Sequence, residues 1–156
     1  TFTQAMAMLE AVDNVAQERE RNIPLYRLLV GALRTLDRDP SPVVTPAFLW
    51  KLLSLEGFHP VLDRCARCGG EDARFAGFHL AEGGATCSSC TETGAQRYSG
   101  ETFTLLRQIL EGGLRAALAV PEGRAVHEVR VLGVRAIEHH LERRLRSAAM
   151  LQATPA

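Results

Sequence analysis

Cys65-Ala66-Arg67-Cys68-Gly69 and Cys87-Ser88-Ser89-Cys90, with 18 residues between Cys68 and Cys87, decide how this 156-residue chain is read. Two residues between paired cysteines let both sulfurs turn toward one tetrahedral ion, and Gly69 frees the backbone for the tight turn that follows the first pair. The segment between the pairs predicts a hairpin. Phe75 to Leu80 reads as a short strand, Glu82-Gly83-Gly84 as a turn and Ala85 to Cys87 as the return strand. Such a hairpin carries the second pair back to the first. Two Cys-x2-Cys pairs at this separation are a zinc spacing, which the pattern favours over two disulfides, a redox pair or iron–sulfur ligation. Cys65, Cys68, Cys87 and Cys90 are therefore the expected ligands of one structural zinc ion, with no coordination position left open. His59 and His79 flank the site, but four cysteines already complete it.

Outward from the cysteines the pattern is helical. Helical periodicity is lost between about Asp63 and Tyr98 and holds on either side. Ala47, Phe48, Leu49, Leu52, Leu53 and Leu55 make a helix apolar on most of its circumference, so it is expected at the centre. Thr45-Pro46 reads as its cap and Gly57 as its stop. Before it, Asn22 to Pro24 breaks the first helix, and Pro24 suits the first turn of a second with Leu25, Leu28, Leu29, Ala32, Leu33 and Leu36 on one face. The first helix has Thr3 as its candidate cap, with Met6, Leu9, Val12 and Ala16 at helical spacing. After the cysteines, Ser99 reads as an N-cap, Phe103, Leu106, Ile109 and Leu110 as a buried face, and Gly112-Gly113 as a weak end. A loop near Pro121 leads to a last helix from about Gly123 to Met150. The expected fold is mainly α: a helical bundle with an inserted four-cysteine, zinc-ribbon-like β-hairpin spanning 63–98.

Along that last helix Val134, Ile137, Leu141, Leu145 and Ala148 share one side. Arg135, His139, Arg143 and Arg146 form a row on another, with Glu128 and Glu142 near enough to offset part of its charge. This row is the candidate surface for an acidic peptide or a phosphate backbone, weighed against an ordinary solvated face. Arg130 and Arg144 fall close to the apolar side, where they would snorkel or pair with a carboxylate of a neighbouring helix. His139 and His140 point about 100° apart on a helix and cannot chelate together.

Lys+Arg and Asp+Glu balance at 18 each, so the chain has no long-range field to draw in nucleic acid. Lys51 is the single lysine among the basic residues. No apolar run approaches the ~20 residues of a membrane helix, and no secretory pattern opens the chain. The cysteines accordingly suit a reducing cytosol. Thr1 in place of Met, running straight into helical sequence, implies that the chain begins partway through a longer protein. No Ser/His/Asp, Cys/His or paired-carboxylate constellation and no Gly-rich phosphate loop supports an enzyme.

Taken together, four stretches resemble the C-terminal region of the RecO family of bacterial recombination mediators. They are Pro24-Leu25-Tyr26-Arg27-Leu28-Leu29; Phe48-Leu49-Trp50-Lys51-Leu52-Leu53 through Gly57-Phe58-His59-Pro60 into Leu62-Asp63-Arg64-Cys65; the two cysteine knuckles with Gly83-Gly84 between them; and Glu138-His139-His140-Leu141-Glu142-Arg143-Arg144-Leu145-Arg146-Ser147. The resemblance implies a non-enzymatic, cytoplasmic, nucleoid-associated protein of DNA repair that helps load RecA onto gaps coated with single-strand DNA-binding protein and anneals strands. Its implied partners are RecR, the acidic phenylalanine-ended tail of single-strand DNA-binding protein, and RecF. DNA would be held chiefly by an N-terminal OB-fold domain, and nothing in this chain reads as that barrel. The resemblance makes the row Arg135, His139, Arg143, Arg146 the candidate for the tail. The rival readings are a zinc-ribbon protein-interaction module unrelated to recombination, and a zinc enzyme.

Overall fold

The computed structural model describes residues 1–71 and 74–141. Six helices and one hairpin follow in order: α1 (Phe2–Val15), α2 (Ile23–Arg38), α3 (Val44–Leu55), β1 (Phe75–His79), β2 (Gly84–Cys87), α4 (Gly100–Glu111), α5 (Leu114–Leu118) and α6 (Arg124–Leu141). The expected helical domain with a four-cysteine hairpin is what forms. Among the described residues no helix is long and apolar enough to cross a membrane.

α3 lies at the centre, touching α1, α2, α4 and α6. Its sequence is apolar nearly all round, so it has no face to give to water. Phe48, Leu49, Trp50, Leu52 and Leu53 are each at most 2% exposed. Each such side chain contributes about 1.5–3 kcal/mol by leaving water, so this one helix anchors the core. α6 crosses it closely. A Cβ at Gly133 would lie 3.0 Å from Trp50 Nε1, and that nitrogen donates a hydrogen bond to the Val129 carbonyl at 3.0 Å.

Side chains cap two helices, Asn22 at α2 and Ser99, as its place in the sequence leads one to expect, at α4. Asn22 Oδ1 accepts the Leu25 N–H of α2 at 3.0 Å, with Pro24 in the first turn. Ser99 Oγ accepts the Thr102 N–H of α4. Thr45, by contrast, does not cap α3. The helix starts at Val44, one residue earlier, and the Thr45 hydroxyl is buried without a hydrogen-bond partner among the described residues. The face of α1 also differs from expectation. Ala7, Met8 and Ala11 are fully buried, while Met6 and Leu9 are 46% and 43% exposed. The small alanines let α1 approach α3 closely, and that packing sets the helix phase more strongly than the spacing of the largest residues. α5 follows directly on Gly112-Gly113, before the loop near Pro121, and its Ala117 is fully buried.

β1 and β2 pair antiparallel, with an irregularity between Phe75 and Gly77. The hairpin is tied to the chain on both flanks. Val61 N–H donates to Gly83 O, and Ala85 N–H to Val61 O, both at 2.9 Å, while Tyr98 N–H reaches Ala76 O at 2.8 Å. Phe75 and Tyr98 both meet Phe103 of α4 edge-on, at 5.6 and 6.3 Å between ring centroids. These aromatic contacts fix the hairpin against the bundle.

Candidate functional site

The open end of the hairpin, where β1 begins and β2 ends, gathers the four cysteines. Cys65 and Cys68 lie in the turn before β1, Cys87 ends β2 and Cys90 follows it. Gly69 takes φ +73°, the left-handed turn anticipated from its place after the first pair, and its N–H returns to Cys65 O at 2.9 Å. The second knuckle has no glycine. There the Thr91 N–H and hydroxyl both donate to Cys87 O, at 2.9 and 2.8 Å, and hold the turn. A Cβ at Gly77 would stand 2.6 Å from Thr91 Oγ1, so only glycine lets β1 pass so close to this knuckle. Gly84 has the same role opposite the first knuckle, where a Cβ would lie 2.8 Å from Val61 O and 2.9 Å from Ala66 Cβ.

All four sulfurs lie within 4.8 Å of one another. Cys68 Sγ and Cys87 Sγ are 3.9 Å apart. A tetrahedral ion with metal–sulfur bonds of about 2.3 Å separates its sulfurs by about 3.8 Å. The donor set therefore fits one tetrahedral, thiolate-preferring ion, and the cluster is compatible with a structural metal site.

The electrostatics agree with that fit. Burial pushes the Cys65 thiol up, but the backbone N–H groups of Cys68, Cys87 and Arg67 outweigh it and bring its pKa to about 6. The Cys87 N–H lies 3.3 Å from the Cys65 sulfur. Cys90 is pushed up to about 12, chiefly by the sulfurs of Cys87 and Cys68. Four thiols at this spacing cannot all ionise side by side unless a cation takes up the charge. Around them Arg67 pairs with Glu82 and Glu92 at 3.4 and 3.1 Å and donates to Cys90 O, joining the first knuckle to the second. The flanking histidines are engaged elsewhere. His59 Nδ1 meets Ser54 Oγ at 2.8 Å, and His79 Nδ1 accepts the Glu82 N–H.

Two members of the expected basic row fall on α6, and Arg143 and Arg146 lie outside the described residues. Arg135 is exposed, and its Nη1 reaches the Tyr98 hydroxyl at 3.4 Å. His139 is exposed and meets the His140 ring edge-on, while His140 stacks on Phe58 with centroids 4.1 Å apart. Glu128 does not screen this row. It is buried, accepting from the Thr102 hydroxyl, the Ser99 N–H and Arg124 Nε. Burial raises its pKa, and the bonds from Thr102, Arg124 and Ser99 outweigh that and hold it below the usual carboxylate value. Arg130 is also buried. It pairs at 2.6 Å with Glu122, in the turn before its own helix and not on a neighbouring one.

A second feature went unnoticed in the sequence. α2, α3 and α5 enclose a groove of about 250 Å³ lined by Leu28, Ala32, Ala47, Phe48, Leu114 and Leu118, with Arg27 and Lys51 among its walls. Neither cation forms an ion pair among the described residues. The sequence signal was available: Arg27, Gly31 and Thr35 recur at intervals of four along the edge of the apolar face of α2.

Comparison with known proteins rests on the whole of this arrangement. The family described as "Recombination protein O C terminal" matches residues 1–149. The chain belongs to the RecO family. DNA repair protein RecO of Frankia casuarinae is 37% identical over 158 residues, an alignment covering 97% of this chain and 63% of that relative. The chain thus spans under two thirds of that RecO's length. Within the matched RecO region lie both cysteine knuckles, the groove and the whole of α6.

Proposed function

We propose that this chain is the zinc-stabilised, partner-docking part of a recombination mediator. In this reading the full protein acts in bacterial DNA repair, helping load RecA onto DNA coated with single-strand DNA-binding protein, annealing strands, and working with RecR and RecF. The observation that carries the reading is membership of the RecO family along nearly the whole chain. Residues 63–98 form the metal-binding insertion, and an OB-fold domain outside this chain supplies most of the DNA contact. The domain works by binding and not by catalysis.

Zinc is the ion the donor set favours: four thiolates at tetrahedral separation, with no carboxylate or imidazole among them. When bound it supplies a cross-link between the two knuckles. A 36-residue segment cannot bury enough apolar surface to hold such a hairpin by itself. The four thiolates leave no position for water, which speaks against the zinc-enzyme alternative.

For the acidic, phenylalanine-ended tail of single-strand DNA-binding protein, the α2–α3–α5 groove is the better of the two surfaces. It combines an apolar trough with two cations that form no ion pair among the described residues, so an aromatic side chain can be buried while carboxylates meet Arg27 and Lys51. The α6 row offers Arg135 and His139, and Arg135 is already turned to Tyr98.

Fluorescence anisotropy with a labelled acidic peptide ending in phenylalanine distinguishes them. Saturable binding that weakens with salt and falls at least about 10-fold in Lys51→Glu supports the groove. Binding lost in Arg135→Glu or Arg143→Glu but intact in Lys51→Glu moves the tail to α6. Absence of saturable binding overturns the docking role.

A further inference from the structure

The four sulfurs are not equivalent in their access to solvent. Cys65 is buried, Cys68 is exposed, and Cys87 and Cys90 lie between. A metal-bound thiolate keeps enough electron density to attack a peroxide, and the rate follows access. Cys68 is thus the point of entry. Cys87 Sγ, on the other knuckle, is 3.9 Å away and within reach of it. Closing to the S–S bond of about 2.05 Å asks each sulfur to move by about 1 Å. Arg67 keeps the knuckles opposed through Cys90 O and Glu92, so Cys87 stays facing Cys68 while coordination is being lost.

We propose that this centre is sensitive to hydrogen peroxide: Cys68 is oxidised first, Cys87 closes a disulfide with it, and the ion is released. The inference rests on the reading that the centre holds zinc. In the first step the Cys68 thiolate attacks one peroxide oxygen; an S–O bond forms, the O–O bond breaks and hydroxide leaves. The sulfur is oxidised by two electrons and the peroxide reduced. In the second step the Cys87 thiolate attacks the Cys68 sulfur, the S–S bond forms, the S–O bond breaks and a second hydroxide leaves. Two protons convert the hydroxides to two waters. The pair of thiolates remaining, Cys65 and Cys90, is too few to retain a structural ion. Thiol reductant and zinc reverse the change.

The test is zinc content before and after hydrogen peroxide, with tryptic mapping of the products and fragment sequencing that separates Cys87 from Cys90 within peptide 75–97. The expected result is one zinc per chain at the start, its release on oxidation, and a disulfide joining peptide 68–74 to peptide 75–97 through Cys87. Cys68→His keeps a ligand atom but removes the oxidisable sulfur, and release should slow by at least about 10-fold. An unchanged rate in Cys68→His overturns the proposal, as does a first disulfide through Cys65 or Cys90, or release with no disulfide. If Cys68→His fails to fold, the disulfide map of the unmodified chain decides alone. A chain with no zinc before peroxide fails at the earlier step, and identifies the metal reading itself as wrong.

Discussion

Trp50, at the centre of the bundle, meets Phe78 of the hairpin edge-on, with ring centroids 5.7 Å apart and planes at 65°. Its indole nitrogen is at the same time bonded to Val129 O on α6. One side chain therefore touches the metal-bearing hairpin and the longest helix together. It is also the only tryptophan in the chain, so its emission reports on that junction.

Removing the metal should be visible at Trp50. If the ion holds the knuckles together, a chelator frees β1, Phe78 withdraws and water reaches an indole that is 1% exposed in the folded chain. Emission should shift to the red on chelation and recover with zinc, while helical circular dichroism is largely retained because α3 packs directly on α1, α2, α4 and α6. Emission unchanged after complete metal removal would mean that the hairpin needs no ion to stay packed.

Glycine substitutions should separate by sign. Gly84→Ala puts a methyl 2.8 Å from Val61 O, a backbone atom that cannot turn aside, and should cost about 1–3 kcal/mol in denaturant unfolding. Gly31, in the middle of α2, has nothing within 4 Å of a Cβ. Gly31→Ala should stabilise the chain by about 0.5–1 kcal/mol through helix propensity. A stabilising Gly84→Ala would refute the close approach of Val61.

Glu128 predicts an acid-sensitive junction between α4 and α6. Its folded pKa lies below the ordinary 4.5, so its contribution is fully present above that value and is lost as pH falls through the folded pKa. The contribution comes from the buried bonds to Ser99 and Thr102 at the N-terminus of α4, more than from Arg124, whose side chain is 71% exposed. Glu128→Gln should lower stability at pH 7 by about 1–3 kcal/mol and flatten the loss of stability between about pH 5 and pH 3. An unchanged acid profile in urea titrations would contradict the role.

The clustering of the four cysteines, the capping by Ser99 and the central place of α3 were legible because each rests on residues close together in sequence. Cys-x2-Cys, a Ser three residues before the N–H that it accepts, and a helix apolar all round are local patterns. What was not legible depends on distant partners. The burial of Ala7 and Ala11 in preference to Met6 and Leu9 is set by how near α1 comes to α3. Glu128 reads as a surface acid on its own helix, and only the start of α4, about 26 residues earlier in the chain, makes it a buried cap. Gly77 reads as a weak strand residue until Thr91 is known to press against it. The groove needs three helices at once, so the cations Arg27 and Lys51 carried no signal singly.

The central claim is that Cys65, Cys68, Cys87 and Cys90 together hold one zinc ion that folds the hairpin onto the bundle. Metal analysis with zinc-edge X-ray absorption on the purified chain tests it most directly. The account predicts one zinc per chain surrounded by four sulfurs at about 2.3 Å, lost together with the Trp50–Phe78 contact in Cys87→Ser. A chain that is fully folded without metal, or a zinc shell containing nitrogen or oxygen in place of a cysteine sulfur, would contradict it.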